Sequence, residues 1–542
     1  MAGALNLSCL IVDSQSAMRR LLRDMLSQIG MGAIHEAMSA NVAMQKLAER
    51  RYDLVLCEYH LGEGQDGQHL MEDARHHGLL PLSTIFIMVT GESDQGRVTS
   101  ASELAPSDYV LKPFSTSVLR DRLERALERC AALAPAWRAL EGSDLAGAIQ
   151  YCTEATARLP QYSRELQRMR AEALLGLGDA EAAKALFREI LENAPAPWAQ
   201  LGLAKAMVMQ KRHADAVEAL LPLVAEHPSY VDAQDWLARA QEALGDLKAA
   251  QRTIEDTVAQ SPHALRRVRR LGEVALQAGD AEVAERALAE VVRKGKLSMF
   301  REPEDHVLLV KTQLARGDRD AAAKTIRDLE RSMRGLRKTE ACSALSAALV
   351  HQHAGDPEKA REALARAVAA AAPEAGLSEQ AKLDLAKGCL AHAMETEGGE
   401  LLRDVMRGAA DDAAIEKAKG ILRASGKAAL ADEMEGTIRE EVGNLVAQGA
   451  AKSRSGDHDG AVRLMLDAAA KMPGNVQVVL NASLALLRRI DQCGWDQSLA
   501  SQAKRLIDQA RKRSPAEGRL VSLADYHRKV MAKYGVSAAR GV

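Results

Sequence analysis

Aromatic residues are scarce in this chain of 542 residues: Phe, Trp and Tyr together make up 3% of it. A β-sandwich leans on aromatic and β-branched side chains, so that class is disfavoured, and the abundant alanine and leucine favour closely packed helices. An excess of one charge is also missing. The formal net charge is −2; residues 1–130 hold 13 Lys+Arg against 17 Asp+Glu, and the remainder holds 59 against 57. Neither part has the basic excess of a nucleic-acid binder. No stretch approaches the roughly 20 apolar residues that span a bilayer, so no membrane insertion is expected. The opening Met1-Ala-Gly-Ala-Leu-Asn-Leu-Ser8 lacks a basic region and does not read as a signal peptide. The cysteines Cys9, Cys57, Cys130, Cys152, Cys342, Cys389 and Cys493 are odd in number and have no paired spacing. That argues against a disulfide framework or a zinc site and fits a reducing, cytoplasmic setting. Phosphate-binding Gly-x₄-Gly-Lys-Ser/Thr, His-Glu-x-x-His, Cys-x-x-Cys and Gly-x-Ser-x-Gly patterns are all absent. The chain is therefore expected not to be an enzyme.

The length exceeds what one core can organise, so two or more domains or a repeat array are expected. Residues 1–130 alternate short apolar runs (Cys9–Val12, Ala33–Ala37, Leu54–Cys57, Ile85–Val89, Tyr109–Leu111) with helical patterns such as Met18–Leu26 and Asn41–Glu49. The alternation predicts an α/β doubly wound parallel five-stranded sheet covered on both faces. Ligands of such sheets bind beyond the carboxyl ends of the strands. The residues there are Asp13 and Ser14, Glu58, Thr90 and Lys112. Acids, a hydroxyl and an ammonium on one rim make a site for an anion and a cation. His60, His69, His76 and His77 fit neither a helix-face pair nor a zinc motif and read as solvated.

Set out along the chain, Ile-Val-Asp13-Ser14, Leu-Cys-Glu58-Tyr-His60 with Gln-Asp66-Gly67, Met-Val-Thr90-Gly and Tyr109-Val-Leu-Lys112-Pro113-Phe114 resemble a bacterial response-regulator receiver, the flavodoxin-like phosphoacceptor domain of two-component signalling. The resemblance implies an acceptor position at Glu58. It also implies a Mg²⁺ site from Asp13, Ser14, Glu58 and the His60 carbonyl, and phosphoryl-binding and switch positions at Thr90, Tyr109 and Lys112. In the family the aromatic turns inward with the hydroxyl when the site is occupied, and the face of the fourth and fifth strands serves homodimers. Two positions depart from the pattern: the second acid is Ser14, and the acceptor aspartate is Glu58. Mg²⁺ needs near-octahedral oxygens at ~2.0–2.1 Å. Loss of one carboxylate and displacement of another predict a weakened or lost metal site and poor phosphoryl transfer. Glu58 is then expected either to imitate a phosphorylated aspartate or to pair with Lys112 as a structural ion pair.

From residue 131 a rhythm of about 34 residues sets in. Gly-Asp recurs at Gly178-Asp179, Gly245-Asp246, Gly279-Asp280, Gly317-Asp318, Gly355-Asp356 and Gly456-Asp457. An alanine follows five after each glycine (Ala183, Ala250, Ala284, Ala322, Ala360, Ala461), and a large apolar residue four later. Proline often closes the unit, as at Pro195, Pro262 and Pro473. This is similar to the tetratricopeptide repeat (TPR), an all-α solenoid of helical pairs. The array is expected over 131–535, degenerate at 371–440, with a capping helix at 516–535. The resemblance implies a concave groove lined by the first helix of each pair. In that register Arg239, Arg266, Arg269 and Lys311 are candidates to clamp an acidic segment of a protein partner. The alternative for Arg266-Arg267-Val-Arg269-Arg270 is a helix face paired with nearby acids. The receiver's last helix is expected over Ser117–Cys130, and a short join through Pro135 would couple the Tyr109 face to the array.

These readings predict an atypical receiver, or pseudo-receiver, acting in phosphorelay signalling through TPR protein binding, with a sensor kinase as a candidate partner. Its alternatives are a conventional phosphorylated regulator, with Asp13 as a candidate acceptor, and a non-switching scaffold.

Overall fold

The computed structural model describes residues 5–62, 66–91, 106–142, 144–262, 264–296, 301–335, 337–372, 375–409, 412–514 and 517–535. Strands β1 (Leu5–Val12), β2 (Met31–Ala37), β3 (Leu54–Glu58), β4 (Ile85–Thr90) and β5 (Asp108–Leu111) form one sheet in the order β2-β1-β3-β4-β5. Every pairing is parallel. The period of two sorts the side chains. Leu10, Val12, Val55, Cys57, Phe86 and Met88 face one core, and Cys9, Ile11, Leu54, Leu56, Ile85 and Ile87 face the other. Helices α2 (Ala40–Glu49) and α3 (Gly67–His76) cover the first face. Helix α1 (Ser16–Ile29) and the first half of α4 (Thr116–Glu141) cover the second. Strands buried on both faces explain why the sequence shows near-continuous apolar runs.

The break expected between Cys130 and Pro135 is absent. α4 runs unbroken for 26 residues with Pro135 inside it. Its apolar stripe serves two cores: Leu119, Leu123 and Ala126 pack on the sheet, while Leu133 and Ala136 pack against Cys152, Ala155, Leu166 and Met169. Proline removes one helical hydrogen bond, but burial at both ends keeps the helix whole.

Helical pairs follow. α5 (Leu145–Arg158), α6 (Ser163–Leu177), α7 (Ala180–Asn193), α8 (Pro197–Met209), α9 (His213–Glu226), α10 (Val231–Ala243), α11 (Leu247–Gln260), α12 (Leu265–Ala278) and α13 (Ala281–Gly295) continue into further helices as far as Arg519–Lys533. The Gly-Asp dipeptide has a double role. The six glycines adopt positive φ of 75–85°, the left-handed turn that closes a helix and that only glycine adopts without strain. The aspartate then caps the next helix: Asp246, Asp280, Asp318, Asp356 and Asp457 each accept a backbone N–H three residues on. The alanine five residues after the glycine is fully buried in all but one of the six units, and 1% exposed in the last.

The stretch 371–440 keeps its helices, among them Glu379–Ala391, Glu395–Arg407 and Ala428–Arg454. Compact units divide elsewhere: one comprises residues 1–175, 180–283 and 290–301, and the other 176–179, 284–289 and 302–542. Of the capping helix expected over 516–535, residue 516 lies outside the described residues and Arg519–Lys533 is helical. Among the described residues no helix is long and apolar enough to cross a membrane.

Candidate functional site at the strand ends

The parallel sheet delivers Asp13, Glu58, Thr90 and Lys112 to one rim. Register fixes their neighbours: Glu58 lies opposite Val89, and Thr90 opposite Leu111. The Lys112 ammonium is hydrogen-bonded to the Glu58 carboxylate and lies 3.5 Å from Asp13 Oδ2. Glu58 is only 12% exposed at its side chain and Lys112 22%, so the pair is partly withdrawn from water. The other Glu58 oxygen accepts the His60 N–H at 3.3 Å. Asp13 is buried, and its Oδ1 accepts the Gln15 N–H at 2.7 Å. Ser14 is exposed, and its carbonyl accepts from Arg19. Thr90 is fully buried, and its hydroxyl donates to the Gly91 carbonyl at 3.4 Å.

Tyr109 packs with Tyr59 against the same core as Leu70, Met71 and Ala74 of α3. Burial, with a smaller contribution from Tyr59, pushes its phenol up to about 12. α3 itself is pressed onto the acceptor position. A Cβ at Gly67 would lie 2.4 Å from the Glu58 carbonyl oxygen and 2.9 Å from Cys57 Sγ, and the Gly67 N–H donates to the Tyr59 carbonyl at 2.8 Å. The tight approach explains glycine at that position.

The histidines separate. His60, His76 and His77 are exposed, but His69 is buried, against the expectation that it is solvated, with Nδ1 2.7 Å from Asp66 Oδ1. Burial is the largest single influence and opposes its charge, but the hydrogen bond to Asp66 together with the negative charges of Asp66 and Glu72 raises its pKa.

The groove candidates also separate. Arg239 is exposed and stacks over Trp236 at 4.9 Å. Arg266 is exposed, with Nη1 3.3 Å from His76 Nδ1, and Arg269 is half-buried. Lys311 falls in the other compact unit, ion-paired with Asp384. Sequence reasoning missed Arg267, which is 4% exposed and ringed by Glu72, Asp235 and Asp232. A signal was there: Arg267 lies one turn before Leu271 on the buried stripe that continues to Val274 and Ala275.

Comparison with known proteins identifies two regions of the chain. Residues 9–124 match the response regulator receiver domain, and residues 168–231 and 237–297 match the tetratricopeptide repeat. This chain joins a receiver domain to tetratricopeptide repeats. Its receiver is similar to the chemotaxis protein CheY-3 of Vibrio cholerae, 27% identical over 124 residues that make up 23% of this chain and 94% of that protein. It is also similar to the chemotaxis protein CheY of Pseudomonas aeruginosa, 29% identical over 120 residues, 22% of this chain and 95% of that protein. Among solved structures, a putative response regulator from Chloroflexus aurantiacus is 27% identical with TM-score 0.21, covering 23% of this chain and 99% of its own. A putative kinesin light chain from Podosopora anserina with TPR-like repeats is 23% identical with TM-score 0.27, covering 32% and 94%.

Proposed function

We propose that this protein is an atypical response regulator: a pseudo-receiver in two-component or phosphorelay signalling whose output is protein binding by its repeats. The observation that carries this reading is the engagement of Lys112 by Glu58, with Asp13 beside it. The resemblance gives Lys112 the task of neutralising an incoming phosphoryl group. Here a carboxylate of the chain itself already fills that role. Inward packing of Tyr109 against the α3 core supports the same reading, because that is the position the resemblance links to an occupied site.

The donor set does not suit Mg²⁺. Asp13 gives one oxygen to the Gln15 N–H and points the other towards Lys112, Glu58 is shared between Lys112 and the His60 N–H, and Ser14 offers only a hydroxyl. A dication needs several free oxygens at ~2.0–2.1 Å, and an ammonium in their midst repels it. On this reading the receiver biases the repeats and the repeats bind. Incubation of the full chain with acetyl phosphate and Mg²⁺ tests the reading by intact mass. The expected result is no acid-stable, base-labile adduct. A stoichiometric adduct would return the protein to conventional phosphorylation, with Asp13 the first residue to replace.

A further inference from the structure

Helix α3 of the receiver reaches the repeats within the first compact unit. Glu72 accepts a hydrogen bond from Arg267 Nη1 at 3.0 Å, and His76 Nδ1 meets Arg266 at 3.3 Å. From the repeat side, Arg267 Nε donates to Asp235 at 3.1 Å, and its Nη2 lies 3.9 Å from Asp232. One buried guanidinium thus faces three carboxylates. Two belong to α10, the preceding repeat, and would satisfy an arginine whose task was only to join α10 to α12. The third comes from 195 residues away in the chain. The receiver meets the repeats on the first helices of three of the pairs: Ser83 donates to Glu141 at the end of α4, Arg129 pairs with Glu165 on α6, and α3 reaches α12. That is the surface a TPR array uses for its ligand.

Further cations stand beside this arginine, among the acids of α10 that already pair with it. Lys205 on α8 and Arg239 on α10 both lie over the Trp236 ring, at 5.4 and 4.9 Å, and Arg266 stands on the next first helix. An arginine fork with a flanking aromatic and further cations suits carboxylates on an extended or helical segment. α3 carries Glu72 and Asp73 side by side and already uses the first of them there. We propose that α3 is an internal ligand of this groove, and that an acidic segment of a partner protein takes the same place by substituting its carboxylate for Glu72 on Arg267. This rests on the repeats being the binding output and does not depend on the state of Glu58.

The test uses the full chain and a fluorescein-labelled octaglutamate peptide, read by anisotropy. Glu72→Gln keeps the shape of the side chain but weakens the internal competitor. It is expected to bind the probe at least tenfold more tightly than wild type, and Glu72→Gln with Arg267→Gln is expected to lose that gain. Hydrogen exchange on Glu72→Gln alone guards against misfolding of the double variant: α3 and α12 are expected to lose protection while β1, β3 and β4 keep it. Equal probe affinity for wild type and Glu72→Gln, or unchanged protection of α3, would overturn the proposal. A phosphoryl adduct in the mass experiment would remove the pseudo-receiver reading and leave this one standing.

Discussion

The receiver rim and the repeat groove place a cation among acids in two different ways. At the rim, Lys112 sits at the end of a sheet, 22% exposed, between Glu58 and Asp13. In the groove, Arg267 is 4% exposed and gathers Glu72, Asp235 and Asp232 from two different helices. A lysine at a strand end holds a point charge that water can still reach, so its partner can change at modest cost. A buried arginine fork holds several partners at fixed angles, and loss of any one leaves charge stranded. The rim is thus suited to a signal and the groove to a latch. α3 joins them, with Gly67 against the Glu58 carbonyl at one end and Glu72 on Arg267 further along.

Breaking the latch should produce the largest effect. Arg267→Leu leaves Asp232, Asp235 and Glu72 without their shared cation and is expected to cost about 3 kcal/mol in the opening of α10 and α12, measured by hydrogen exchange. Next comes the joint between the two regions. Gly67→Ala places a methyl against a backbone oxygen that cannot retreat, with an expected loss of about 2 kcal/mol in receiver unfolding by urea. At the rim, Glu58→Gln strands Lys112 only partly, because water and Asp13 remain; about 1 kcal/mol is expected. Glu58→Asp, tested beside it, sharpens the choice between a structural pair and a phosphoaspartate mimic. If probe binding by the repeats is unchanged in both, the mimic reading fails and the structural pair remains.

Capping in the array is a local matter. Asp280 accepts the Val283 N–H at 3.1 Å and a hydrogen bond from Gln251 of α11 at 2.8 Å, so Asp280→Ala is expected to cost about 1 kcal/mol in protection of α13. The smallest effect concerns pH. The pKa of His69 is raised in the fold, so its stabilisation is fully present below the ordinary imidazole value of 6.5 and is lost as pH rises through the higher folded value. His69→Gln should therefore flatten the fall in α3 protection between neutral and mildly alkaline pH.

The sheet and its rim were legible in the sequence because both faces of a parallel sheet are buried, which concentrates apolar runs and leaves polar residues only at strand ends. The repeats were legible because a left-handed glycine, an N-cap aspartate and a fully buried alanine recur at fixed spacing. Two features show why the rest was hidden. Pro135 read as a break, yet the stripe from Leu119 to Ala136 is buried at both ends and outweighs one lost hydrogen bond. Arg267 read as one of four surface arginines because its partners lie 32 and 195 residues away, a separation that no local pattern encodes.

The central claim is that α3 sits in the repeat groove as its internal ligand, held by Glu72 on Arg267. Hydrogen exchange on the full chain, wild type against Glu72→Gln, tests it most directly. The expected result is faster exchange in Gly67–His76 and also in Leu265–Ala278, with β1 and β3 still protected. Unchanged exchange in Gly67–His76 and Leu265–Ala278 would contradict it.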